Sequence, residues 1–258
     1  MLDRIKSHDS AKATYRKEGY GSSCPSYRKA GSPSRIMMNI LVYNRKGGVG
    51  KTTVADELMF SLERDGISCA YIDLDDQESS VHADETERAD KAEVLVIDTP
   101  GALTSEVQAW MSDADIIVIP TTASGRDIGM LQAALRAADE YAPHVPRIIV
   151  VNRYNRYRAA QEFHEALKEE AKAEQTYLVT LPQSEAVQNA YLNDRSVVEE
   201  APKSTAAYHT LLMVNQIRAA AGLPQDPIDP VPIRQYIERQ TEMARKRREA
   251  MKHDKPDK

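Results

Sequence analysis

Cysteine is scarce: the 258 residues hold two, Cys24 and Cys69. Two thiols cannot build a disulfide framework or a four-cysteine zinc or iron–sulfur site, so a reducing cytoplasm is the expected compartment. No run of 18 apolar residues occurs, and no transmembrane helix is expected. The N-terminus lacks the apolar core of a secretory signal. Aromatic residues are few, at 6%, yet 41% of the chain is hydrophobic, enough at this length for one large core.

Charge is unevenly spread. The net charge is -5. Residues 1–36 hold eight Lys or Arg against three Asp or Glu, and residues 233–258 hold nine against five. The body between them is therefore acidic, near -14. Basic ends on an acidic body place any polyanion contact at the ends or in local patches. The first 36 residues are rich in Ser, Gly, Lys and Tyr without a period, and read as a disordered basic extension. The folded domain, and the natural start of translation, are expected at Met37 or Met38.

From there short β-rich runs alternate with longer helical patterns. Strands are expected at 39–43, 68–73, 93–98, 115–119, 147–151 and 176–180. They are nearly continuous in apolar character, as strands buried on both faces are. Helices are expected near 52–65, 103–112, 126–141, 156–173, 184–193 and 204–221, with Gly66 closing the first. This alternation predicts a layered α/β/α domain over 37–222 with a mostly parallel twisted sheet. Ligands of such sheets sit beyond the carboxyl ends of the strands. A proline-rich linker is expected at 223–232 and an exposed basic helix over 233–258.

The sharpest local signal is Asn44 to Thr53, NRKGGVGKTT, between a strand and a helix. Glycines at 47, 48 and 50 let successive N–H groups turn inward as an anion cradle. Lys51 is placed for the β- and γ-phosphates, and the Thr52 hydroxyl for magnesium. Gly101, in EVLVIDTPG (93–101), can bring its N–H to the γ-phosphate, and Asp98 at that strand's end can hold a magnesium-bound water. In YIDLDDQ (71–77), strand alternation puts Asp73 and Asp75 on one face, where two carboxylates can serve magnesium and a water. The ordinary phosphate-loop pattern asks for glycine where Arg45 stands.

That departure, with a lysine at each end of KGGVGKT (46–52), resembles the deviant Walker A motif of the ParA/MinD superfamily of P-loop ATPases. The resemblance implies ATP and Mg2+ as nucleotide and cofactor, bound by Lys46, Gly47, Gly48, Val49, Gly50, Lys51, Thr52 and Thr53. It implies that Lys46 reaches across a homodimer to the partner's nucleotide, that Asp75 positions the attacking water, and that Asp73 lies nearer the metal, beside Thr52 and Asp98. Asp76 stands where that family usually has proline. The segment VVNRYN (150–155) lacks the aspartate that guanine-specific relatives use, so adenine is expected. Asn152, and Pro182 and Gln183 in TLPQ (180–183), are the base contacts the resemblance implies.

Within the superfamily, the iron–sulfur carriers and the arsenite pumps need cysteines that are missing here. The C-terminal segment lacks the dense apolar face that a membrane-positioning helix needs. The likeness is to small ParA proteins of the ParF kind, through IPTTAS (119–124) and DRSVVEEAP (194–202). It implies a weak ATPase that dimerises on ATP, binds DNA non-specifically and segregates plasmid or chromosome cargo, nucleoid-associated in a bacterium. The expected partner is a ParB-type or ribbon-helix-helix centromere-binding protein, which stimulates hydrolysis. Candidate DNA contacts are Arg153, Arg156, Arg158, Arg195, Lys203 and the cluster Arg245, Lys246, Arg247 and Arg248. The alternatives are a MinD-like membrane-associated positioning ATPase, a ParA-like accessory ATPase for conjugative transfer or protein-cargo placement, and a metabolic ligase of the same superfamily.

Overall fold

The computed structural model describes residues 37–75, 80–82, 91–155, 157–173 and 176–228. The expected N-terminal extension and basic C-terminal helix lie outside the described residues, as does the end of the expected linker. The described elements run in the order β1 Met38–Val42, α1 Lys51–Arg64, β2 Cys69–Asp73, β3 Val94–Asp98, α2 Ser105–Ser112, β4 Ile116–Thr122, α3 Ile128–Tyr141, β5 Arg147–Tyr154, α4 Arg158–Ala173 and β6 Thr176–Pro182. Three helices follow, α5 Glu185–Leu192, α6 Val197–Glu200 and α7 Thr205–Ala220. The sheet order is β2-β3-β1-β4-β5-β6, and every pairing is parallel.

Alternation along the strands divides the apolar residues between two layers. Leu41, Leu95, Ile97, Ile117, Ile119 and Ile149 face one way and pack on α2, α3 and α4 through Trp110, Met111, Leu131 and Phe163. Ile40, Val42, Val94, Val96, Val118 and Ile148 face the other way, against Val54, Leu58 and Leu62 of α1 and Met213, Val214 and Ile217 of α7. This is why the strands read as unbroken Val/Ile runs.

Among the described residues, the six strands expected between 39 and 180 and the six helices expected between 52 and 221 are present. Gly66, at φ 69°, ends α1: its N–H donates to the Glu63 carbonyl and that of Ile67 to Leu62, a paired closure that the left-handed glycine makes available. The short α6, capped by Ser196, was not expected. Four residues show no hydrophobic period, and a serine cap alone is a weak signal. The start of the expected linker packs onto the domain: Asp226 is buried, its backbone N–H and C=O both bonded to the side chain of Asn215.

Candidate nucleotide site

The phosphate loop leaves β1, which lies in the sheet between β3 and β4. Asn44 is fully buried and stitches the loop to β4: its Nδ2 donates to the Pro120 carbonyl at 2.7 Å, and its Oδ1 accepts the Lys46 N–H at 3.0 Å. Gly48 and Gly50 stand at φ 71° and 97°, left-handed backbone that favours glycine. At Gly50 a Cβ would also lie 2.0 Å from Nδ2 of Asn152. That carboxamide reaches from β5 and donates to the Val49 carbonyl at 2.9 Å. The side chain that the resemblance assigned to adenine is thus engaged with the loop backbone.

The N-terminus of α1 differs from those of α2, α5, α6 and α7. Thr104, Ser184, Ser196 and Ser204 cap those four, each accepting a bond from a first-turn amide. The α1 cap is Gly50, with no side-chain bond and no acid in the first turn. Its amides and the positive end of its dipole are left for an anion. Lys51 is the first helical residue and is buried.

Asp98 ends β3 at 1% exposure, directly across from Asp73 at the end of β2. One carboxylate oxygen, Oδ2, accepts from the Thr52 hydroxyl at 2.7 Å and from the Tyr71 phenol at 3.1 Å. The other, Oδ1, is buried without a hydrogen-bond partner. Burial pushes this acid up to about 6, against the opposing pull of Thr52, Tyr71 and Lys51, with Asp73 adding to the rise. Burial, with the nearby Asp98 charge, holds the Tyr71 phenol well above its ordinary range, so it donates as a neutral hydroxyl.

The residues fit magnesium. An orphaned carboxylate oxygen beside a threonine hydroxyl, under a phosphate cradle, is the partial donor set that Mg2+ takes when substrate phosphates and water complete its shell. Among the described residues no cluster of three or more acid, histidine or cysteine side chains could hold a metal alone.

Gly101 presses on the start of the loop: a Cβ there would lie 2.9 Å from the Arg45 carbonyl oxygen. Thr99 pins this turn by donating to the Val42 carbonyl at 2.8 Å. The expectation that alternation puts Asp73 and Asp75 on one strand face is corrected. β2 ends at Asp73, the Leu74 N–H donates to the Asp98 carbonyl, and the Asp75 N–H turns back onto Oδ1 of Asp73 at 2.8 Å. Asp75 therefore stands in a turn, where strand alternation no longer applies. Asp76 lies outside the described residues.

Lys46 sits at the rim of the loop, its side chain 39% exposed, and is ion-paired with Asp127, whose side chain is 1% exposed. The Thr122 hydroxyl donates to the other oxygen of Asp127. Sequence reasoning missed Asp127 and Tyr71. Asp127 carries a weak helix-cap signal before α3, and Tyr71 reads as an ordinary apolar strand residue.

Pro182 pairs with Tyr154, and the Gln183 N–H donates to the Tyr154 carbonyl. Both residues lie with Asn152 at the carboxyl edge of β5 and β6. Of the candidate DNA contacts, Arg153 is exposed at φ 52°, its N–H held by Asn152 Oδ1. Arg158 pairs with Glu162, Arg195 lies 3.9 Å from both Glu199 and Glu200, and Lys203 is exposed. Arg156 and residues 245–248 lie outside the described residues. No described helix is long and apolar enough to cross a membrane.

Residues 40–197, more than half of the chain, match the CbiA family model, the CobQ/CobB/MinD/ParA nucleotide binding domain. No curated protein sequence matches. Solved structures share the fold. An ATP complex of a McdA variant from Cyanothece aligns at 16% identity and TM-score 0.61, covering 75% of this chain and 99% of that one. MinD from Pyrococcus horikoshii with Mg-ADP aligns at 16% identity and TM-score 0.54, covering 72% and 98%. A ParA family ATPase from Chlorobium tepidum aligns at 17% identity and TM-score 0.55, covering 70% and 98%. The chain belongs to the CobQ/CobB/MinD/ParA family of nucleotide-binding domains.

Proposed function

Starting from that family, we propose that the chain is an ATP-driven switch of the ParA type. It dimerises on ATP, hydrolyses it slowly, binds DNA without sequence preference as a dimer, and segregates a plasmid or chromosome cargo with a ParB-type or ribbon-helix-helix partner. One observation carries the reading: the loop has two lysines in different settings. Lys51 is buried at the helix start, while Lys46 is 39% exposed at the rim and held by Asp127. That difference supports the reading that Lys46 serves a nucleotide bound outside its own cradle.

The proposed roles divide among the residues of the site. The α1 amides and Lys51 hold the phosphates and stabilise charge on the transferring phosphoryl group. The Thr52 hydroxyl and Asp98 would hold magnesium, with Asp73 beside them, and the metal would neutralise charge shared between phosphate oxygens. Asp75 orients water for in-line attack. Lys46, released from Asp127, adds charge from the opposite subunit. Pairing two weak basic surfaces raises DNA affinity by avidity, and phosphate contacts make it fall with salt. The ion pairs of Arg158 and Arg195 weaken each single surface.

The test is sedimentation velocity of the full chain with Mg-ATP, Mg-ADP and no nucleotide, beside DNA gel shifts and liposome co-sedimentation. The expected result is a dimer in ATP alone, which shifts DNA and does not pellet with liposomes. Asp75→Ala is expected to stay dimeric on DNA in ATP. A chain that remains single in Mg-ATP ends the reading. ATP-dependent pelleting with liposomes and no DNA shift replaces it with a membrane-positioning role.

A further inference from the structure

Tyr71 opens the YIDLDDQ segment but is given no role in the proposed function. It lies in β2, is fully buried, and belongs by position to the apolar layer under α1. Its ring stacks on His82, with centroids 6.1 Å apart and planes at 30°. His82 is itself fixed: Nδ1 lies 2.9 Å from Asp56 Oδ1, and Phe60 packs edge-on at 4.5 Å. Ser80 donates to the same Asp56 oxygen at 2.5 Å, and its Oγ accepts the His82 N–H. The ring is thus held between β2, α1 and the 80–82 segment, and its hydroxyl points at Asp98.

Asp98 has one satisfied oxygen and one orphan. Both donors, Thr52 and Tyr71, converge on Oδ2, so rotation of the carboxylate would break two bonds at once. Oδ1 is thereby held in one direction with no protein partner. Thr52 stands in the first turn of α1, directly after the phosphate loop. Tyr71 belongs to β2 and not to the loop, so its bond reaches the carboxylate from the sheet side.

We propose that Tyr71 is a positioning residue for magnesium: its hydroxyl locks the Asp98 carboxylate so that the free oxygen is presented to the metal shell, while its ring is anchored by the His82–Asp56 pair. This rests on the nucleotide-switch reading above. A carboxylate fixed before binding loses less freedom on taking a metal, and outer donors to metal ligands are worth ten- to a hundred-fold in affinity.

The experiment uses the full chain and titrates a fluorescent ATP analogue in excess EDTA and across free Mg2+ concentrations. Tyr71→Phe keeps the ring and removes only the hydroxyl. The expected result is unchanged nucleotide affinity in EDTA and a midpoint for Mg2+ raised on the order of tenfold. Tyr71→Leu removes ring and hydroxyl; its Mg2+ midpoint is expected to rise by the same factor although its melting temperature falls further. A Tyr71→Phe midpoint equal to that of the unaltered chain overturns the inference and leaves the switch reading standing. So does a midpoint that tracks melting temperature across the two variants, since that marks a packing role alone. If the unaltered chain shows no nucleotide binding with or without Mg2+, both readings fall.

Discussion

Lys46 is ion-paired with Asp127, 81 positions further along the chain. The pair joins the phosphate loop to the turn before α3. It also occupies the lysine that the proposed dimer needs at the neighbouring site. Closure of two subunits must therefore exchange one anion, Asp127, for another, the partner's phosphates.

The first prediction concerns that exchange. Asp127→Asn keeps the shape and an acceptor but removes the charge that holds Lys46. Dimerisation in Mg-ATP should occur at several-fold lower protein concentration, while the nucleotide-free chain melts lower. Lys46→Ala should abolish ATP-dependent dimerisation and leave Mg-ATP binding by the monomer within a few-fold. Sedimentation velocity with parallel nucleotide titrations reads both. An Asp127→Asn chain that dimerises less readily would show that the pair serves closure and does not oppose it.

Gly50 is where steric demand is greatest. Gly50→Ala meets Asn152 at 2.0 Å and must hold φ 97°. Something must shift, and the Asn152 to Val49 bond goes first. Nucleotide affinity should fall by more than tenfold, with a stability loss of about 1–3 kcal/mol. Combining it with Asn152→Ala relieves the clash but not the dihedral, so the double variant should recover only part of the stability. Calorimetric titration and thermal melts decide this.

Glu57 gives a pH-dependent stability. It lies in α1, buried, with Oε1 accepting the Val197 N–H at 2.8 Å and Oε2 buried without a hydrogen-bond partner. Burial, opposed by the Val197 bond and helped by the Asp56 charge, raises it from 4.5 to about 7. The folded chain then holds a proton that the unfolded chain releases, so stability is full below pH about 4.5 and falls as pH rises to about 7. The loss is up to about 3 kcal/mol. Asp98, raised to about 6, adds to the slope of the nucleotide-free chain. Glu57→Gln is neutral throughout and should flatten its own share. Urea midpoints at pH 5 and pH 8 are the measurement; equal slopes in both chains would show that Glu57 is ionised in the fold.

Arg218 is fully buried between α1 and the segment after α7. Its guanidinium contacts Asp65 at 2.5 Å, Asp226 at 3.2 Å and the Ser61 hydroxyl at 2.9 Å. Asp226→Ala leaves that charge with one carboxylate and also frees Arg64, which pairs with Asp226 at 2.5 Å. A loss of about 3 kcal/mol is expected. A loss below about 1 kcal/mol in urea unfolding would mean that Asp65 alone compensates Arg218.

Much of the fold was legible because its signals are local. Continuous Val/Ile runs mark strands covered on both faces, and Gly66 marks the end of α1. Glycines 47, 48 and 50 with Lys51 and Thr52 mark the phosphate loop, since a tight turn, a point charge and a hydroxyl must be neighbours in sequence to meet one phosphate chain. The α6 helix escaped because one turn has no period to read.

The sequence by itself determined the strand–loop–helix units and the order in which their acidic and phosphate-binding ends appear, because each is set by the backbone preferences and spacing of adjacent residues. The tertiary structure alone decided which distant residues bond to each other: Tyr71 with Asp98, Asn152 with the Val49 carbonyl, Lys46 with Asp127, Arg218 with Asp65. Those pairings depend on the order of the parallel strands and on which sheet face each helix covers. Such choices are made by the packing of the whole core, and no short stretch of residues encodes them.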